Sequence, residues 1–104
     1  DFDKVIEVEP SNSDAFNRRA RTQILLGNHT QGLFDLDSAV FHNPLNAEAI
    51  VDRGILLGAL AKDDDGIDPE LKQASCADLA SAASLTDDQT IIEDAVKFEN
   101  IYNC

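Results

Sequence analysis

The positive charge of this chain is concentrated in one short run, Asn17-Arg18-Arg19-Ala20-Arg21. A guanidinium fork matches the two oxygens of a carboxylate, so clustered arginines offer recognition of an acidic group rather than bond-breaking chemistry. Arg18 and Arg21 stand three apart, a spacing that projects both from one face of a helix. Other residues able to do chemistry are sparse. His29 and His42 have no Ser, Cys or carboxylate at a spacing that would assemble a nucleophile and base. Two cysteines without a CxxC are too few for a disulfide framework and too dispersed for zinc. Cys76, set among small residues in KQASCADLASAAS, reads as the core of a packed helix, and the redox state of Cys104 is left open. The acidic stretch DDDGIDPE invites a calcium reading. Counting back from Gly66, however, puts Ala61 first and Lys72 twelfth in an EF-hand loop, where a carboxylate is needed at both. A solvated loop that caps the next helix is expected instead. Asn28-His29-Thr30 is a formal glycosylation acceptor, meaningful only if the chain is secreted. No phosphate-binding glycine loop or HExxH occurs. The expectation is a non-enzyme with no cofactor and no metal.

The bulk properties narrow the partners. At 104 residues the chain is one domain, and 43% apolar residues suffice for a modest core. Twenty acidic residues against eight Lys and Arg give a net charge of -12. Such a field repels phosphate backbones and anionic lipid, so the expected partner is a protein or peptide, basic or neutral on this ground, with no nucleic acid and no membrane. The opening DFDK, without methionine, suggests an excised or processed fragment.

A period organises the residues. Displaced by 34 positions, Asp1 meets Asp35, Asp3 meets Asp37, Pro10 meets Pro44 and Asn12 meets Asn46; Ala15 then meets Ala49, Arg19 meets Arg53 and Leu26 meets Leu60. Unrelated sequence would give roughly two such identities, and self-similarity at a fixed period marks a repeat architecture. DLDSAV at 35–40 returns as DLASAA at 78–83, so a third copy is present with an insertion in its middle, between Ala61 and Asp78.

Each copy reads as two helices. Phe16, Ala20, Gln23 and Ile24 follow helical spacing, with Asn12 or Ser13 as cap and Gly27 as stop. A second helix runs from about Thr30 to Phe41, and a third from Ala47 to about Lys62. Asp68 caps a fourth that begins at Pro69 and continues to about Leu85. Thr86 and Gln89 offer a capping box for the last, in which Ile91, Ala95, Phe98 and Tyr102 form one stripe. The tail of a sixth helix precedes them in DFDKVIEVEP. The expected class is all-α, a right-handed stack of antiparallel helical hairpins.

With Phe16, Ala20, Gly27, Gly32, Leu36, Ala39 and Pro44 in one unit, the chain resembles the tetratricopeptide repeat family. The following unit supplies Ile50, Gly54, Ala61, Ser75, Leu79 and Ala82, with Asp87 where the family has proline. Gln23 stands in place of the usual helix A aromatic, and Gly32 in place of alanine. The resemblance implies a TPR-like α-solenoid over residues 1–104: a preceding helix B tail at 1–10, a complete repeat at 13–46, a repeat at 47–87 with an insertion near 62–70, and a terminal or capping helix at 88–104. It also implies a concave groove, built mainly from helix A, that binds a peptide or partner helix. Projecting that groove onto this chain selects Asp14, Asn17, Arg18, Arg21, Ile24 and Leu25, followed by Glu48, Val51, Asp52, Ile55, Gly58 and Ala59. Asn17 would pair with a ligand's backbone amide.

Arg19 and Arg53 are equivalent under the period, so a structural task is expected of both, such as pairing with acids of an adjacent helix. Arg18 and Arg21 have Asp52 and Ile55 at their equivalents, which makes them the candidates for a ligand carboxylate. The lysines that clamp a C-terminal carboxylate in some family members are missing. A second reading is a self-assembly unit, a homo-oligomer that pairs through exposed terminal repeat faces.

Overall fold

A computed structural model describes residues 12–63 and 66–104, and the expected helix tail at 1–10 lies outside the described residues. Five helices follow one another: α1 (Ser13–Leu25), α2 (His29–His42), α3 (Ala47–Ala61), α4 (Pro69–Leu85) and α5 (Gln89–Ile101). Their order agrees with the helical spacing, and their ends do so to within a residue or so except at the last, where α5 stops at Ile101, short of the expected 104.

Local chemistry sets those ends. Asn12 and Asn46, equivalent under the 34-residue period, cap α1 and α3 alike, each side chain accepting the N–H of the alanine three residues on, Ala15 at 3.0 Å and Ala49 at 3.1 Å. Helix α1 stops because Gly27 adopts φ +84°, which costs a glycine little. The N–H groups of Gly27 and Asn28 then turn back to the carbonyls of Ile24 and Gln23 at 3.0 and 2.8 Å, closing the helix end. Asp68 caps α4 with Pro69 as the first helical residue. At α5 the expected Thr86–Gln89 box is replaced: Asp88 is the cap, accepting from Thr90, while the Thr86 hydroxyl accepts the Asp88 N–H. A carboxylate one residue before the helix serves its unpaired N–H groups better than a hydroxyl three residues before it.

Two other expectations need correcting. The insertion is not wholly irregular, since Lys62–Asp63 and Gly66–Ile67 form a two-residue antiparallel ladder. Gly66 at φ +132° permits that reversal. Cys76, expected as an unpaired core residue, forms a disulfide with Cys104 across a Cα–Cα distance of 5.6 Å. The pairing depends on where α5 ends. Asn103 takes the left-handed conformation at φ 58°, and the Cys104 N–H reaches the Glu99 carbonyl at 2.9 Å, so the chain curls back toward α4.

Contacts give the helix directions. Ser13 donates to the Ala39 carbonyl, Arg19 to Asp35, and Gly32 lies against Ile24, so α1 and α2 are antiparallel. Arg53 with Asp78 and Gly54 with Ser75 make α3 and α4 antiparallel in the same way. Between hairpins, Asn46 meets Ser13, Glu48 meets Asn17 and Asp52 meets Arg21; α1 and α3 therefore run side by side in one direction. One core cluster holds Phe16, Ala20, Leu36, Ala39, Ala49 and Leu56. A second holds Ile50, Val51, Leu79, Ala82 and Ala95, with the Ile91, Phe98 and Tyr102 stripe of α5 against it. The expected stripe of α5 is the face that packs.

Candidate functional site

Between α1 and α3 lies an open cleft of about 370 Å³. Ile24, Leu25, Ile55, Leu56 and Ala59 give it an apolar floor, and Arg21, His29 and Asp52 stand at its edges. Leu25 is 87% exposed, an unusual state for a leucine beside an apolar surface. Along the parallel course of α1 and α3, Ser13 pairs with Asn46, Asn17 with Glu48 and Arg21 with Asp52, and the cleft lies beyond the last of these pairs.

The polar end is an ion-pair network. Arg21 donates from Nε to Asp52 Oδ2 at 2.8 Å and reaches Glu48 Oε1 at 3.0 Å. Asn17 Nδ2 donates to the same Glu48 oxygen at 3.2 Å. Burial lifts the Asp52 carboxyl above the ordinary carboxylate value and outweighs the Arg21 hydrogen bond, which acts to lower it. The hydrogen bond that Arg21 donates to Asp52 leads in raising Arg21, against an opposing effect of burial. The charges of Glu48 and Asp94 raise both groups further.

Arg21 was expected to await a ligand carboxylate. It is half exposed, yet its guanidinium is already paired with two carboxylates of α3, because Asp52 and Glu48 are the residues α3 presents to it. Arg18 is exposed and meets no carboxylate among the described residues. Asp14 is exposed and accepts from Asn46 Nδ2 at 3.2 Å. Asn17 is only 2% exposed; its Nδ2 is used by Glu48, and its Oδ1 has no donor among the described residues.

Ile24 and Ile55 line the cleft as expected, but Val51 does not: it is 3% exposed within the second core cluster, where Leu79, Ala82 and Ala95 surround it. Gly58 is likewise withdrawn under the Tyr102 ring, whose hydroxyl donates to the Ile55 carbonyl at 2.8 Å. Helix α5 lies over that part of α3 and covers positions that a period of 34 alone leaves open. Burial raises the Tyr102 hydroxyl above its ordinary value.

His29 and Leu56 at the cleft were not anticipated. His29 is the first residue of α2, and only the tight closure at Gly27 brings it beside the end of α1. Among the described residues no cluster of His, Cys, Asp or Glu is arranged to hold a metal ion. No described helix is long and apolar enough to cross a membrane. No protein-family model matches the chain, and neither a curated protein nor a solved structure matches it.

Proposed function

We propose that the protein is a non-catalytic interaction module, a tetratricopeptide-like α-solenoid of about two and a half repeats plus a C-terminal helix, which takes a peptide or partner helix in the α1–α3 cleft. The observation that carries this reading is the apolar floor left open between two helices in equivalent positions of the period, with Leu25 standing in solvent beside it. An apolar concavity with a few placed polar groups is what a binding site requires. Asn17 Oδ1, one turn from Arg21, still lacks a donor, but it is buried and would have to be uncovered to accept from a ligand amide.

An unbiased peptide-display library panned on the full chain tests it. Enriched peptides should bind Ile24→Glu and Ile55→Glu variants about tenfold or more weaker than wild type, each decade corresponding to about 1.4 kcal/mol. Peptides that bind the variants as tightly as the wild type would place recognition elsewhere.

A second reading has its own observation. Phe34 and Phe41 stand seven apart on α2 and are exposed, as is Leu45 just beyond the helix, so a stripe of large apolar groups faces solvent. A second copy of the chain would cover it. Sedimentation across a hundredfold concentration range separates the two: a mass that stays at one chain removes the self-assembly reading.

A further inference from the structure

The cleft is short of donors. Four carboxylates, Asp14, Glu48, Asp52 and Asp94, stand in or beside its polar end, against the two guanidiniums of Arg18 and Arg21. Arg21 is engaged with Asp52 and Glu48 together. Both contacts to Glu48, from Asn17 and from Arg21, fall on Oε1, and the side chain remains 44% exposed. A carboxylate has about four acceptor sites over its two oxygens, so Glu48 can take a further cation. The Asn17 carboxamide agrees. Its Nδ2 faces the Glu48 carboxylate, which fixes which end of the amide is which, and the oxygen left over lacks a donor.

Building on the cleft reading above, we propose that the cleft selects a basic ligand: a peptide segment with one large aliphatic side chain for the apolar floor and Lys or Arg beside it for Glu48 and Asp94. At Arg21 a ligand carboxylate would compete with Asp52 and Glu48 for the guanidinium and meet their negative charge, which leaves Arg18 as the cation it could pair. A ligand ammonium or guanidinium joins the network without breaking it. The net charge of -12 attracts such a segment at long range and repels an acidic one. This inverts the expectation drawn from Arg18 and Arg21 alone.

The test uses three synthetic peptides with one apolar core, flanked by Lys, by Glu or by Ser, titrated against the full chain by fluorescence anisotropy. The Lys peptide should bind at least about tenfold tighter than the Glu peptide, with the Ser peptide between, and raising the salt should shrink the spread. Glu48→Gln combined with Asp94→Asn should remove most of the Lys preference and leave the Ser peptide unchanged. Thermal midpoints of each variant certify that it is folded. Equal affinities for all three peptides, or a preference for Glu, would overturn the charge inference while an Ile55→Glu effect on the Ser peptide keeps the cleft reading. No binding of any peptide would remove both.

Discussion

The hairpin α1–α2 and the hairpin α3–α4 solve one packing problem with different residues. Each crosses its helices through a bidentate ion pair: Arg19 with Asp35 in the first, Arg53 with Asp78 in the second. Each buries one leucine completely, Leu36 and Leu79, and one alanine three residues on, Ala39 and Ala82. At the closest approach the small residues are exchanged. The first hairpin sets Gly32 over Ala20; the second sets Ser75 over Gly54, with the serine hydroxyl donating to the glycine carbonyl. Residues that recur hold helices within a hairpin. Among those that differ, Asp52 (against Arg18), Arg21 and Ile55 (equivalents of each other) line the cleft between the hairpins. Repetition thus marks the frame of each hairpin, and its failure marks the cleft between them.

The equivalence is most exposed to test at the two leucines. Leu36→Ala and Leu79→Ala should each cost about 2–5 kcal/mol in urea denaturation, from lost transfer energy plus the cavity left behind. A cost below about half a kcal/mol at either site would break the equivalence.

The disulfide belongs to the second hairpin and its covering helix alone. Closing the loop between Cys76 and Cys104, 28 residues apart, restricts the unfolded chain by roughly 3.5 kcal/mol on the loop-entropy account. Replacing both cysteines with serine should lower stability by up to about that amount. Hydrogen exchange should quicken in α5 before α1 and α2. Uniform quickening across the chain would mean that the bond supports the whole fold and not its C-terminal end.

The ion pairs should differ measurably. The Asp35 side chain is 4% exposed and the Asp78 side chain 13%, so removing the arginine strands the first carboxylate in the drier site. Arg19 also lies over the Phe16 ring, where the second hairpin has Ile50. Arg19→Ala should cost about 1.5–3 kcal/mol and Arg53→Ala less, the range being that of hydrogen bonds to charged groups. Equal losses would show that solvent reaches both carboxylates alike.

These contrasts show what the residues reveal unaided. Helix spacing, caps and the 34-residue echo are local or periodic, and they gave α1 to α5, the leucines and the structural role of Arg19 and Arg53. Whatever depends on α5 was hidden. That helix has no counterpart in the echo, so nothing indicated that it would bury Val51 and Gly58 or carry Cys104 to Cys76. The pairing of Arg21 was hidden for a related reason. Asp52 is the period's equivalent of Arg18, and only the parallel course of α1 and α3 brings it to Arg21.

The smallest expected effect lies at the exchanged small residues, and it sharpens the comparison most finely. Ser75 is fully buried, and its hydroxyl has the Gly54 carbonyl as partner. Ser75→Ala should cost about 1 kcal/mol, the net value of a typical hydrogen bond, because the carbonyl still sits in its own helix. The reverse exchange tests the first hairpin. A Cβ at Gly32 would fall 2.6 Å from Ile24 Cγ1 and 3.3 Å from the Ala20 carbonyl oxygen. Ile24 is partly exposed at the cleft and can turn away, and a serine hydroxyl at position 32 could then reach the Ala20 carbonyl. Gly32→Ser should therefore change stability by less than about 1 kcal/mol, the new hydrogen bond and the better helix propensity offsetting the displaced side chain. The displaced Ile24 should also reshape the cleft, so peptide affinity should move more than stability does. A stability loss as large as that of the leucine truncations would mean that α1 and α2 cross too closely for any side chain, and that the two hairpins differ in backbone spacing as well as in residues.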